Sequence, residues 1–224
     1  MTRCNLGQVI RIDILPDVAL LEIFDFYMEM NSSYHKTGVE AWVSLIHVCR
    51  RWRSLVSQSP RRLNLRLYCT PKTPAKDTLD VWPALPLIIR GTMTFTTGTD
   101  DIIAALGRSD HICDVALSDL AGWQSEKILA AMQVPFPELT YLRLFSNDKT
   151  VPLINIPNLF LDGSAPRLQF LELEGIPVPG LPKLHLSATH LVNLELTYNP
   201  HSRYIPPDAM VSLLSVVQPR IHCT

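Results

Sequence analysis

The residues with catalytic chemistry are scattered along this chain. His111 and Cys113, next to Asp114, offer a base and a nucleophile, as in a Cys–His pair. On one predicted strand, however, the side chains of His111 and Cys113 would extend from opposite ends of the same strand face. No third residue is evident that would orient the pair. Glu172 and Glu174 also share a predicted sheet face, but nothing around them predicts a pocket or a perturbed pKa. We therefore predict a protein that is not an enzyme, with no catalytic residue and no cofactor.

The cysteines and the known catalytic motifs do not change this prediction. The five cysteines are scattered and odd in number, no pair has a zinc-ligand spacing, and His47 beside Cys49 lacks further ligands. We expect mostly buried, reduced thiols and no metal. A glycine-rich phosphate loop, a G-x-S-x-G elbow and an H-E-x-x-H helix are all missing from the sequence. The cysteines are Cys4, Cys49, Cys69, Cys113 and Cys223.

Six arginines crowd into a short stretch of the first third, and such a cluster is able to bind phosphate. No aromatic platform or base-reading motif accompanies them, and the formal net charge of the chain is −1. We therefore favour arginines on the polar face of a docking helix over a nucleic-acid site. The six are Arg50, Arg51, Arg53, Arg61, Arg62 and Arg66.

Composition places the chain among ordinary globular proteins. It has 224 residues, 47% hydrophobic and 18% charged, enough for one domain or two small ones. Eighteen prolines against nine glycines predict many stiff breaks between short elements. Polar residues interrupt the first fifteen positions, and no apolar run approaches the roughly 18 residues of a membrane span. We expect a soluble cytoplasmic or nuclear protein without a membrane partner.

Two amphipathic helices are predicted in the first third. Pro16 suits the first turn of a helix, and an apolar stripe follows it. A second stripe predicts a helix of about four turns. The stretch Asn31-Ser32-Ser33, followed by residues 36–38, predicts a loop between the two helices. Because each helix alone is marginal in water, the stripes must pack on each other or on a partner. The first stripe is Leu20, Leu21, Phe24, Tyr27 and Met28; the second is Trp42, Leu45, Val48, Cys49, Trp52, Leu55 and Val56.

These segments resemble the F-box of fungal F-box proteins that carry leucine-rich repeats. The resemblance lies in the Leu15-Pro16 entry, the Leu-Leu-Glu-Ile-Phe run at 20–24 and the Val-Cys-Arg-Arg-Trp-Arg segment at 48–53. It implies docking on the Skp adaptor, and through it on cullin, in a Skp–cullin–F-box (SCF) ubiquitin ligase. Val18-Ala19 and the long loop depart from the family pattern. The adaptor-binding residues implied are Leu15, Pro16, Leu20, Ile23, Phe24, Val48, Cys49, Trp52 and Leu55.

The rest of the chain repeats an L-x-x-L-x-L pattern, with other aliphatic residues allowed. The matches begin at Ile112, Leu139, Leu168 and Leu191, with helical patches at 100–106, 123–132 and 208–217. Asn147 and Asn199 fall at the asparagine position of the leucine-rich repeat template. Out-of-phase matches at 156–161 and 181–186 show that a leucine-rich chain also yields the pattern by chance. We favour an irregular leucine-rich repeat solenoid and keep a generic α/β domain as the alternative.

Alternate residues of these strands are expected on one sheet face, where they form rows. The rows make a partly acidic patch edged by aromatic side chains, which suits binding of a protein segment. An ordinary solvated sheet face is the alternative. The candidate target-binding residues are Tyr141, Arg143, Phe145, Phe170, Glu172, Glu174, Asn193 and Glu195.

The predicted fold class is α+β to α/β, with an N-terminal helical F-box followed by a short irregular leucine-rich repeat solenoid. The predicted domains are a docking module at 10–68, a proline-rich connector at 69–98, the repeats at 99–217 and an irregular tail at 218–224. The predicted function is substrate recognition in an SCF ubiquitin ligase, through the Skp adaptor and an unknown target protein. The alternative is an interaction scaffold without ligase function.

Overall fold

The chain divides into two compact units, Met1–Leu65 and Arg66–Thr224. The computed structural model describes residues 14–31, 41–72, 79, 85–93, 98–120, 122–146, 160–176, 188–197, 211 and 220–222. Asn147, Asn199 and all of the predicted 208–217 helix except Val211 lie outside these residues. Each unit is described separately below.

Unit 1 is helical. Its helices are α1 (Asp17–Asn31), α2 (Ala41–Ile46) and α3 (Arg50–Gln58). Pro16 immediately precedes α1, and its carbonyl accepts a hydrogen bond of 3.1 Å from the Leu20 N–H. The second predicted helix is in fact α2 and α3, separated at 47–49. Arg53 Nε donates to the Ile46 carbonyl at 3.1 Å, so a side chain satisfies an acceptor at the end of α2.

An aromatic core and an arginine hold unit 1 together. Phe24 of α1 is fully buried, and its ring centroid lies 4.7 Å from that of Trp52 in α3. Arg51 of α3 donates from Nη2 to the Leu15 carbonyl at 2.5 Å and to Asp17 Oδ1 at 2.6 Å. These bonds join α3 to the start of α1. The same guanidinium thus contacts both the entry backbone and the first-turn carboxylate of α1.

Unit 2 contains one sheet in which every strand pair is parallel and strand order follows chain order. A parallel pair needs a crossover connection. Helix α4 (Thr99–Leu106) joins β2 to β3, α5 (Gly122–Ala131) joins β3 to β4, and a short 3-10 segment (Phe160–Gly163) precedes β5. The strands are β1 (Leu67–Cys69), β2 (Leu87–Thr92), β3 (Ile112–Ser118), β4 (Tyr141–Phe145), β5 (Phe170–Glu174), β6 (Asn193–Thr197) and β7 (Arg220–His222).

One face of this sheet forms the core. Alternate leucines such as Leu142, Leu144 and Leu171 are buried. Helix α4 packs on β1 and β2 and also contacts α5. Gln124 of α5 is buried and donates from Nε2 to the Thr99 hydroxyl of α4 at 3.4 Å, which satisfies a polar group inside the layer. The sheet therefore has a covered apolar face and a second face with a different composition.

The predicted fold class is wrong. The structure is an α/β fold built on an all-parallel sheet, and it is not an F-box helical bundle followed by a leucine-rich repeat solenoid. The L-x-x-L-x-L pattern located strands β3 to β6 because it marks a strand with one buried face. It does not specify what joins the strands, and the connections here differ from one another.

Strand β2 shows why the pattern missed the start of the sheet. Leu87, Ile88 and Ile89 are all buried, and a strand buried on both faces gives a continuous apolar run without alternation. The sequence analysis assigns residues 69–98 to a connector. Strand β2 therefore lies within this range, and β1 lies at its edge. Strand β7 likewise lies in the range assigned to an irregular tail (218–224).

Gly98 provides a test of the packing at the start of α4. Its φ is +92°, and a Cβ there would overlap the Pro71 carbonyl. Gly98→Ala should therefore destabilise the protein by about 2 kcal/mol or more. Gly107→Ala is the matched control, because Gly107 has a φ of −63°. Urea unfolding of both variants measures the difference, and equal midpoints would contradict this account.

Candidate functional site

The second face of the sheet carries polar and aromatic side chains in register; we call it the polar face. Its first row includes Asp114, Tyr141, Phe170 and Asn193, which pair across β3 to β6. In the second row, Arg143 pairs with Glu172, and Glu172 with Glu195. In the third, Phe145 pairs with Glu174 and Glu174 with Thr197. All eight candidate target-binding residues therefore share one surface of unit 2.

Two ion pairs neutralise part of the polar face. Arg90 Nη2 lies 2.6 Å from Asp114 Oδ2, and its Nε donates to Oδ1 at 3.4 Å. Arg143 Nε lies 3.0 Å from Glu172 Oε1, and the Tyr141 hydroxyl donates to Glu172 Oε2 at 3.5 Å. The hydrogen bond to Asp114 raises the pKa of Arg90. Both of these guanidinium groups therefore have a carboxylate partner on the face.

Carboxylates gather on β5 and β6. Burial raises the pKa of Glu172 above its usual 4.5; Arg143 opposes this shift, and the charge of Glu195 directly opposite adds to it. Like charges directly opposite on neighbouring strands destabilise a sheet. In the part of the chain that the structure describes, Glu174 and Glu195 form no ion pair. On the other side of β6, strand β7 places Arg220 in register with Asn193 and His222 in register with Glu195.

An aromatic pair and an unpaired amide border the carboxylates. The ring centroids of Tyr141 and Phe170 are 6.1 Å apart, and Phe170 is 40% exposed. Burial raises the pKa of Tyr141, and the charge of Glu172 adds to the shift. The Oδ1 atom of Asn193 is buried and has no hydrogen-bond donor among the described residues. The residue in register with Asn193 on the neighbouring strand β7 is Arg220.

The nine candidate adaptor-binding residues in unit 1 divide by exposure. Leu20 and Phe24 are buried and hold the helices together. The half-buried ones are Leu15, Trp52 and Leu55, and the exposed ones are Pro16, Ile23, Val48 and Cys49. Only the exposed residues present a substantial apolar surface to a partner without rearrangement of the helices.

Helix α1 also exposes a second apolar stripe that the sequence analysis missed. Ile23, Phe26 and Met30 recur at helical spacing away from buried Leu20 and Phe24. Val18, just inside α1, is exposed as well. Of the twelve large apolar side chains that are exposed among the described residues, seven lie in unit 1. The signal was present in the sequence, because α1 is apolar on more than one side.

The catalytic and metal-binding candidates do not assemble. Cys113 Sγ donates to the Leu87 carbonyl at 3.3 Å, and burial raises the pKa of its thiol. Burial also raises the pKa of Cys69 to about 11, so this thiol is protonated at neutral pH. Among the described residues, no group of three or more His, Cys, Asp or Glu residues is placed to hold a metal ion. In the same part of the chain, none of the helices has the length and apolar character needed to cross a membrane.

Comparison of the chain with protein families, with curated proteins and with solved structures finds no match in any of the three. The geometry of the polar face and of helix α1 therefore carries the functional argument.

The two phenylalanines of α1 test the division between its core and its exposed stripe. Phe24→Ala should cost about 3 to 5 kcal/mol because it leaves a cavity beside Trp52. Phe26→Ala should change the free energy of unfolding by less than about 0.5 kcal/mol, because Phe26 is 63% exposed. Chemical denaturation measures both values. A cost for Phe26→Ala as large as that for Phe24→Ala would place Phe26 in the core.

The pKa of Glu172 tests the electrostatics of the polar face. Glu195→Gln removes a charge that raises this pKa, so the pKa should fall; Arg143→Gln removes a charge that lowers it, so the pKa should rise. NMR titration of the side-chain carboxyl carbon measures both. The pKa of Glu172 is higher in the folded state than in the unfolded state, so protonation of Glu172 stabilises the fold. This stabilisation is complete at pH values below the unfolded-state pKa. It is lost as the pH rises through the folded value. Shifts of the same sign in the two variants would contradict the arrangement.

Proposed function

We propose that this chain is a non-catalytic receptor subunit of an SCF-type ubiquitin ligase. Unit 1 docks on the Skp adaptor through the exposed residues of its helices, and the polar face of unit 2 captures a target protein. The observation that carries the proposal is the exposed apolar stripe of α1, with Ile23 48% and Phe26 63% exposed. Exposed apolar patches on a folded unit mark interaction sites.

The F-box resemblance supports the choice of the adaptor. Pro16, Ile23, Val48 and Cys49 belong to the residues that the resemblance implies for docking, and all four are exposed. Arg51, from the segment that carries the resemblance, bonds to Leu15 and Asp17 and so fixes the start of α1. In this proposal the arginine positions the docking surface and does not bind nucleic acid.

A receptor of this kind needs no chemistry of its own. Holding a target beside a conjugating enzyme raises the effective concentration of the target's lysines, and this tethering increases the rate of transfer. A cytoplasmic or nuclear location follows from the proposed partners. The second candidate is an interaction scaffold that does not bind the adaptor. The polar face supports the scaffold as well as it supports the ligase receptor. The reason is that this face lies wholly in unit 2, so that binding a target there does not require the adaptor.

Substitution of the exposed stripe tests adaptor docking. The double variant Ile23→Ser/Phe26→Ser should weaken binding of the full chain to the Skp adaptor at least tenfold, because each buried apolar side chain contributes about 1.5 to 3 kcal/mol. Its thermal stability should not change. Val192→Ser, at a residue of unit 2 that is 53% exposed, is the matched control and should bind normally. Biolayer interferometry with purified adaptor measures the affinities.

Two results would count against docking. If the unsubstituted chain fails to bind the adaptor where a standard F-box protein succeeds, the ligase role is lost and the scaffold remains. If the double variant binds as well as the unsubstituted chain, the exposed stripe of α1 is not the docking surface.

A further inference from the structure

Positive and negative charges are segregated in unit 1. The acidic residues that the structure describes in this unit all lie in α1, and α1 has no basic residue. The arginines described in this unit all lie at 50–62, and residues 41–65 contain no acidic residue. The two sets pair only in part, through Arg51 with Asp17 and Arg62 with Glu22. Among the described residues, the other arginines of the unit have no carboxylate partner; they are Arg50, Arg53 and Arg61.

Two of these unpaired arginines share the exposed side of α3. Arg50 and Arg53 are both exposed, and their spacing of three residues makes their side chains neighbours on a helix. Val56, on the other side of α3, is buried. Two exposed serines lie on the same side as the arginines. We call this surface the arginine face; it consists of Arg50, Arg53, Ser54 and Ser57.

The stability of α3 does not explain the arginine face. Like charges on neighbouring positions of a helix repel each other. A cation in the first turn is also unfavourable, because the peptide dipoles give that end of a helix a partial positive charge. Arg50 is the first residue of α3, and its first turn contains no acidic residue. Arg53 donates from Nε to the Ile46 carbonyl, but this neutral acceptor does not cancel its charge. Such departures from the local rules of helix stability are typical of functional sites.

An exposed apolar residue adjoins the arginine face. Val48 lies two residues before Arg50, and its side chain is 59% exposed. The surface therefore combines an apolar anchor with positive charge that unit 1 does not compensate. Complementary charge around an apolar contact gives an interface its specificity and its orientation. The matching partner surface has an apolar side chain flanked by carboxylates.

The charge distribution favours an acidic protein segment over nucleic acid. The acidic residues of α1 nearly balance the arginines of unit 1, so the long-range attraction of this unit for a phosphate backbone is small. The arginine face also carries no aromatic side chain on which bases could stack, because Trp52 of α3 is half-buried against Phe24. Guanidinium groups bind single carboxylates through two parallel hydrogen bonds. A short segment rich in aspartate or glutamate therefore matches the two arginines.

We propose that the arginine face of α3 docks an acidic segment of the protein that binds unit 1. Arg50 and Arg53 each bind a carboxylate of that segment, and Val48 packs against an apolar side chain beside them. This proposal rests on the proposed function only in taking unit 1 as the docking unit. It adds an electrostatic contact on α3 to the apolar contact on α1, and it specifies the charge of the partner's surface.

NMR titration of the isotope-labelled full chain with defined ligands tests the chemistry of the partner. The probe is a peptide of alternating glutamate and glycine with a central leucine; its counterparts carry glutamine or lysine instead of glutamate, and oligothymidylate replaces the peptide. We expect the glutamate peptide to shift the amide signals of α3 and to bind about tenfold more tightly than the glutamine peptide. The lysine peptide should not bind, and salt should weaken the glutamate complex. Tighter binding of oligothymidylate than of the glutamate peptide would overturn the proposal in favour of a nucleic-acid site.

The variant Arg50→Glu separates a binding role from a structural one. It places a carboxylate in the first turn of α3, three residues before Arg53, so it should raise the urea midpoint of unfolding. The same variant should weaken binding of the glutamate peptide about tenfold or more. Lys127→Glu, at an exposed position of helix α5 in unit 2, makes the same change in charge and should alter the affinity less than about twofold. If Arg50→Glu fails to fold, Ser54→Glu adds a carboxylate to the same face and should also weaken binding.

Two results of the variant measurements would overturn the proposal. If Arg50→Glu binds the glutamate peptide as well as the unsubstituted chain does, the arginine face is not the site. If it lowers the urea midpoint, Arg50 serves the stability of α3 and its charge needs no partner.

Failure of this proposal is distinguishable from failure of the ligase role. Adaptor binding without any response to the glutamate peptide rejects the arginine face alone. Binding of the glutamate peptide that Arg50→Glu abolishes, in a chain that does not bind the adaptor, supports the arginine face and rejects the ligase role.

Discussion

The parallel register of β3 to β6 is the constraint on which the candidate site depends. Backbone hydrogen bonding places Tyr141 beside Phe170 and Glu172 beside Glu195, whatever their side chains prefer. Folding therefore brings like charges together and must compensate them. Arg143 supplies part of the compensation at 3.0 Å from Glu172, and the pKa of Glu172 remains raised. The raised pKa of Glu172 is thus a direct consequence of the strand register.

Burial of the opposite face makes this register tolerable. Leu142, Leu171 and Leu194 pair across the same strands and are removed from water. A shift by one residue would exchange these leucines with the charged row, at a cost far above that of a few carboxylate contacts. The apolar face thus fixes the position of every residue on the polar face. The same separation explains why the site can be polar without weakening the core.

The sequence was informative wherever a single periodicity determines the structure. Alternation in β4 and β5 correctly placed Tyr141, Arg143, Phe170 and Glu172 on one surface, because a strand buried on one side has a period of two. It failed at Leu87–Ile89, where burial on both sides removes the alternation. The fold class was also wrong, since strand patterns contain no information about the connections. No pattern in the sequence indicated that Arg143 and Glu172 would form an ion pair while Glu174 and Glu195 would not.

Helix α1 shows a related limit and carries the functional argument furthest. Its periodicity correctly identified Leu20 and Phe24 as apolar, but hydrophobicity alone does not distinguish a core residue from one that awaits a partner. Leu20 and Phe24 are buried in the core of unit 1, while Phe26 and Met30 on the same helix are exposed. A helix that already has a full core on one side gains nothing in stability from a second apolar side in water. That second side is the surface on which we propose that the adaptor docks.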